Sequence, residues 1–130
     1  MGYTNDITQA IQNEVRAGLP YPVVRENSDG IPDRPYVVLQ VVRIKPQALT
    51  NEAHVSVRRG YLIATVVTEA GTLAKQGDDI GDEIAEILPF AHTIDVGSRV
   101  LTVNNIPYVD IGFRDGNDWR TPVRIDYEVD

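Results

Sequence analysis

Pro122-Val123-Arg124-Ile125-Asp126-Tyr127-Glu128-Val129 alternates without a break: Val, Ile, Tyr and Val fall on one side, and Pro, Arg, Asp and Glu on the other. A period of two sends successive side chains to opposite faces of an extended chain, so this reads as a half-buried β-strand. Upstream, Asp115-Gly116-Asn117-Asp118 has the composition of a tight turn, and Trp119 stands between that turn and the strand. Before it, Ile106 to Phe113 reads as a strand pairing back on Val100 to Val103 through a two-residue turn at Asn104-Asn105. Asparagine tolerates the left-handed conformations that such hairpins need. Thr93 to Val96 reads as one more short strand, so the last third of the chain is expected to be a meander.

Toward the N-terminus the periodicity changes. Gly71 to Leu88 spaces Ile80, Ile84, Ile87 and Leu88 three and four apart, with Leu73 and Ala74 able to extend that face. Asp78, Asp79, Asp82, Glu83 and Glu86 fall on its outer side, Gly77 and Gly81 weaken the helix, and Pro89 stops it. His54 to Thr68 is a long β segment in which Gly60 is expected to mark a bulge or bend. Lys45 to Glu52 is a polar excursion. Tyr36 to Ile44 is a strong strand with Val37, Leu39 and Val41 on one face and Tyr36, Val38, Gln40, Val42 and Ile44 on the other. Neither face is cleanly polar, so both are expected to be covered, one by helices and one by a neighbouring subunit or second sheet. Glu26 to Pro35 reads as a surface contact loop, and Tyr21 to Arg25 as a short edge strand, because Pro22 lacks a ladder donor. The chain opens with a helix carrying Ile7, Ile11 and Val15 on one face, Ala10 and Ala17 beside them, Thr4 or Asn5 as cap, and Gly18 with Pro20 as stop.

Composition narrows the function classes. A length of 130 residues suits one domain with one core, and the absence of cysteine excludes disulfides and thiolate metal sites. The first residues have neither the basic nor the apolar region of a signal peptide, and no apolar run is long enough to cross a bilayer, so no membrane partner is expected. The formal charge of −7 is unevenly placed: residues 1–77 hold 8 basic and 7 acidic side chains, residues 78–130 hold 4 and 12. An acidic half is poorly suited to gripping phosphates. It suits a soluble surface, a partner with a basic face, or a lining that DNA passes without sticking.

Site chemistry is sparse. The helix carboxylates lack the order of a calcium loop, no Glu-x-x-His pair supports a di-iron site, and they read as a solvated or interface face. No phosphate-cradling or dinucleotide glycine pattern is present. His54 and His92 sit in no metal motif, and Ser28, Ser56 and Ser98 sit in no nucleophile elbow. Arg43, Arg58 and Arg59, with Lys45, form the one modest basic group. Only Tyr61 is close enough to serve as a stacking platform, so salt bridges to the acidic half of a neighbour compete with ordinary surface charge. Trp119 reads equally as a core anchor and an interface hot spot.

The helix at Asp6 to Ala17, the strand at Pro35-Tyr36-Val37-Val38-Leu39 and the break before Arg59-Gly60-Tyr61-Leu62-Ile63 resemble the tail terminator proteins of long-tailed bacteriophages. Asp79-Ile80-Gly81-Asp82-Glu83-Ile84-Ala85-Glu86-Ile87-Leu88-Pro89 is similar to that family's second helix. Asn117 to Tyr127 is similar to its closing turn and strand. The resemblance implies a single α+β domain over residues 1–130, with two helices packed on a curved, mostly antiparallel mixed sheet in the order α-β-β-α-β-β-β. It also implies a non-enzymatic minor tail protein without cofactor, assembled in the bacterial host cytoplasm and located in the virion tail. Such proteins form a hexameric ring on the tail tube, stop tube polymerisation and meet the head completion or connector protein, while DNA passes through. Another head–tail completion protein or a tube-related subunit is the nearest alternative, and a small-ligand enzyme a remote one. The residues expected at the subunit interface are Arg43, Arg58, Arg59, Asp78, Asp79 and Trp119, with Arg58 or Arg59 meeting the Asp78–Asp79 region of the next subunit.

Overall fold

The computed structural model describes residues 3–26, 30–44, 58–71 and 74–129, with residues 3–5, 43–44 and 58 as backbone alone. In chain order the elements are α1 (Tyr3–Gly18), β1 (Val23–Arg25), β2 (Tyr36–Ile44), β3 (Arg58–Glu69), α2 (Ala74–Ile87), β4 (Thr93–Val96), β5 (Arg99–Val103), β6 (Tyr108–Val109), β7 (Phe113–Asp115) and β8 (Asp118–Val129). The strands form one sheet in the order β1-β2-β3-β8-β5-β4, with β6 and β7 also paired to β8. Among the described residues only β1 and β2 run parallel.

The alternating terminal segment is the spine. β8 pairs with β3 from Arg58↔Val129 to Glu69↔Asp118 without a slip. From Thr121 on, its odd-numbered residues, Thr121, Val123, Ile125, Tyr127 and Val129, are all buried on the helix-covered face. Leu62, Ala64 and Val66 of β3 and Val37 and Leu39 of β2 continue that layer. From the helices, Ile7, Ile11 and Val15 of α1 and Ile80 and Ile84 of α2 close it, with Leu88 just past the α2 terminus donating its N–H to Ile84 O at 3.1 Å. Such apolar stripes are what make short helices persist in a domain. Both terminal strands, β1 and β4, touch α1. A sheet whose two ends reach one helix must curl around it, which accounts for the curvature.

Polar side chains fix α1 to the β1 edge. Buried Gln12 donates Nε2–H to Val23 O at 3.1 Å and accepts from Arg25 Nε at 3.1 Å through Oε1. Arg16 Nη2 donates to the same carbonyl at 3.2 Å. On the other side His92 Nε2 lies 2.7 Å from Glu14 Oε2, tying α1 to the segment leading into β4.

Several local expectations are corrected. Thr4 and Asn5 lie inside α1, so neither caps it, and Ala17 and Ala74 are exposed instead of joining the apolar stripes. Gly60 is not a bulge: its register is continuous with Arg43 on one side and Tyr127 on the other. It is a place of close approach, since a Cβ there would sit 2.6 Å from the Tyr127 hydroxyl. Gly77 and Gly81 are buried against the sheet, so they are contact points of α2 and not merely weak spots. The polar excursion at Lys45 to Glu52, the start of the long β segment at His54 and the extension of the second helix through Leu73 lie outside the described residues.

The largest correction concerns the meander. The chain does not reverse at Asn104-Asn105; the tight turn is at Gly97-Ser98, between β4 and β5, where Gly97 takes φ 63°. β5, β6 and β7 are successive pieces of one interrupted strand running antiparallel to β8. Leu101 faces Val129 and Tyr108 faces Arg124, so seven steps on this strand match five on β8 and two residues bulge out. Val109 faces Val123 and Phe113 faces Arg120, four steps against three, which leaves one more. Asn104 still donates to Asp126 O at 3.1 Å and Asp110 to Pro122 O at 2.8 Å, so the strand stays attached to β8 across both interruptions.

Candidate assembly surface

With both helices on one face, the even-numbered side chains of β8 and their partners form a second, helix-free face. Cross-strand rows there run Tyr36–Val67–Arg120–Phe113, Val38–Thr65–Pro122, Gln40–Ile63–Arg124–Tyr108 and Val42–Tyr61–Asp126. Tyr36 and Val67 are buried although no helix covers them. Ile31 and Pro32 arch over this end of the face, and between them and the sheet lies an open groove of about 380 Å³ reaching Val24, Val38 and Gln40. A shallower hollow of about 680 Å³ continues past Arg34 to Asn117 and Asp118. In the interior, by contrast, the void between α1 and the sheet is about 10 Å³, at the limit of what one water needs. That void therefore holds no ligand chamber, and the concave features are surface grooves.

Three arginines on or beside the helix-free face are paired within the chain. Arg124 Nε donates to Asp126 Oδ1 at 3.0 Å while its guanidinium stacks 4.0 Å over the Tyr61 ring. Arg120 Nε lies 2.9 Å from Asp115 Oδ2, an ion pair too poorly aligned to count as a hydrogen bond. Arg34 Nη1 donates to Asn117 O at 2.7 Å and pairs with Asp118 Oδ1 at 3.1 Å, holding the loop across the end of the sheet. Arginines already matched to carboxylates are poorly placed to grip phosphates.

The face ends at a ragged edge. The two interruptions of the outer strand each expose an isoleucine, Ile106 at 76% and Ile111 at 84%, with Tyr108 at 58% and Phe113 at 49% on either side of the second. A bulge re-aims a side chain that regular pairing would hold in line. Asn105 Oδ1 accepts from Ile106 N at 2.9 Å and Asp110 Oδ1 from Ile111 N at 2.7 Å, so each bulge is fixed by its preceding side chain. Val109, between them, points the other way and packs on Gly81 of α2.

The residues singled out from sequence fall at two ends of the domain. Arg43 pairs with Gly60 and Arg58 with Val129, while exposed Arg59 has Glu128 opposite it, so the three arginines gather at one end of the sheet. Asp78 and Asp79 are exposed near the start of α2, and Asp79 Oδ2 accepts from Lys75 Nζ at 2.7 Å, which raises the lysine pKa above its ordinary value. The adjoining Gly77 sits over Thr121 and Trp119, at the far end of β3 and β8. Trp119 faces Thr68, nine residues along β3 from Arg59, or about 30 Å at strand spacing. The arginines and aspartates are therefore not neighbours within one protomer. Trp119 is half-buried beneath Gly77 and Gly112, with its Nε1 buried and no partner among the described residues. Among those residues no group of three or more His, Asp or Glu side chains is arranged to hold a metal ion, and no helix is long and apolar enough to cross a membrane. The exposed strip at Ile106 to Phe113 escaped the sequence reading, because those residues alternate well enough to pass for a regular paired strand.

A solved structure 19% identical in sequence superposes with a TM-score of 0.72, covering 98% of this chain and 95% of its own. A chain in the virion of a native gene transfer agent particle is 12% identical, with a TM-score of 0.67 and coverage of 98% and 97%. At such identities the likeness establishes the shared fold. No curated protein matches the chain. A family described as phage tail terminator protein matches residues 6–127, from the first turns of α1 to Tyr127 of β8. A match of that extent, on a fold of two helices over one curled sheet, shows that the chain belongs to the phage tail terminator family and is a structural component of tail completion.

Proposed function

We propose that this protein caps the end of the tail tube as a hexameric ring, stops tube polymerisation and presents the surface that meets the head connector. The family match over residues 6–127 carries the reading. The structure supports it through what it offers a partner: broad faces and open grooves, with no buried chamber between α1 and the sheet. A ring needs two different complementary surfaces on each subunit, and this chain has a near-neutral half, an acidic half and sheet edges of unlike character. The work is mechanical and not catalytic, with the tube protein, the connector protein and other copies of the chain as partners, in the virion tail after assembly in the host cytoplasm. DNA passes the ring without specific binding. Arg58 or Arg59 of one subunit pairs with Asp78–Asp79 of the next; their placement at opposite ends of the domain suits a head-to-tail contact.

Electron microscopy of tails assembled without this protein tests the role. Tubes of uncontrolled length, or tails that do not join heads, are expected. Tails of normal length joined to heads would reject it.

A further inference from the structure

The two flanks of the sheet are built differently. On one, the outer strand made of β5, β6 and β7 is broken by two bulges, which keep its free part from regular pairing. β4, beyond β5, is four residues long with exposed Asp95 inside it, a charge that discourages a further strand. On the other flank β1 covers only Val37 to Leu39 of β2, and Gln40 to Ile44 have no strand beyond them among the described residues. That stretch pairs with β3 without a slip, from Gln40↔Ile63 to Ile44↔Arg59. It holds three β-branched residues, Val41, Val42 and Ile44, and no proline, a composition suited to strand pairing. Its backbone parity follows from β1, because Val37 donates its N–H outward to Pro22 O at 2.9 Å. Alternate residues of a strand direct N–H and C=O to the same side, so Val41 and Arg43 also turn theirs outward, while Gln40 and Val42 direct theirs to β3. Two N–H and two C=O groups, repeating at about 7 Å, are left without a backbone partner among the described residues.

We propose that an extended segment of the tail tube protein adds to β2 along Gln40–Ile44, continuing the line that β1 begins. The inference rests on the capping reading above and assigns its contact with the tube. Hydrogen bonding selects the occupant: outward donors and acceptors at the repeat of a strand are matched by another extended backbone, the mode in which sheet edges recognise peptides. Side chains set its character. Val41 packs against the rim of the core, so the residue beside it is apolar, and Gln40 is exposed, so its neighbour is polar. Position favours the tube over a second copy. The subunit contact proposed above runs between opposite ends of the strands, from Arg58–Arg59 to Asp78–Asp79, which leaves the flank of the sheet to a protein stacked on the ring. One receptive flank and one bulged flank also suit a cap, because a strand taken from the tube on the first is not passed on by the second.

Amide exchange read residue by residue by NMR tests this, on the free chain and on chain bound to purified tail tubes and then quenched. In the free chain the Val41 and Arg43 amides are expected to exchange fast and those of Gln40 and Val42 slowly. On tubes all four are expected to be protected. Val41→Pro removes an outward N–H and no bond to β3, so it should weaken co-sedimentation with tubes about tenfold, the contribution of one or two hydrogen bonds. Val41→Thr keeps the amide and should bind nearly as the parent does. A Val41→Pro chain that folds by circular dichroism and binds as tightly as the parent overturns the proposal; if it does not fold, the exchange pattern of the parent decides alone. Protection of Val41 and Arg43 in the free monomer, on self-association without tubes, or only with the connector protein overturns it too. A chain that caps tubes with those two amides still fast overturns the strand contact and leaves the capping reading standing. A chain that does not bind tubes overturns both.

Discussion

Gly77 sets helix propensity against packing. In an exposed helix, alanine in place of glycine stabilises by about 1 kcal/mol. Here a Cβ would collide with Thr121 Oγ1 on β8, so the packing effect wins. Gly77→Ala is expected to destabilise the domain by about 1–3 kcal/mol in urea unfolding. At Gly81 the added atom would lie 3.0 Å from Val109 Cγ1 and 3.2 Å from Val123 Cγ2, tight but against methyl groups that can shift, so Gly81→Ala should change stability by less than about 1 kcal/mol. A Gly77→Ala protein as stable as the parent would show that α2 does not seat this closely. Thr121 offers a complementary test, because its hydroxyl is buried without a partner among the described residues. Replacing an unsatisfied hydroxyl by a methyl of the same shape removes a desolvation penalty of about 1–3 kcal/mol, so Thr121→Val should leave thermal stability unchanged or raise it. A clear drop in Tm would mean that the hydroxyl is engaged.

Among the elements, α1 and β1 depend on one another through Gln12. Gln12→Ala removes the donor to Val23 O and the acceptor of Arg25 Nε, and is expected to cost about 1–2 kcal/mol. Hydrogen exchange should quicken at the Val37 amide, which donates to Pro22 O at 2.9 Å beside β1, while the Val123 amide in the middle of the sheet keeps its protection. Equal acceleration at both would show that β1 is not a separately stabilised edge. β4, β8 and the buried face of α2 were legible in the sequence because each carries a clean period of two or of three and four, and β2 because it is a nearly continuous run of β-branched and other apolar residues. The interrupted outer strand was not legible. Its register is set by what β8 offers opposite it, and Asn104-Asn105 has turn composition wherever it sits. Gly60, Gly77 and Gly81 misled in the same way, since a glycine needed for close approach looks in sequence like one that breaks an element. The exposed isoleucines at the two bulges follow from that register slip, so they were hidden along with it.

For the whole molecule, fold and family were readable from the order of weak patterns over nearly the full length, whereas contacts between copies were not, because complementarity between surfaces leaves no periodic trace. Charge across the proposed ring is testable directly. Reversing Arg58 and Arg59 to glutamate should weaken ring formation and slow association while leaving the monomer folded, and adding Asp78→Lys with Asp79→Lys should partly restore it. A double reversal that assembles as well as the parent, or that simply unfolds, would refute that pairing. The central claim is that this chain closes as a ring on the tube end, and averaged electron cryomicroscopy of intact tail ends measures it most directly. The account predicts six copies in a single closed ring at the head-proximal end of the tube. Copies distributed along the tube, or a tube end without this chain, would contradict it.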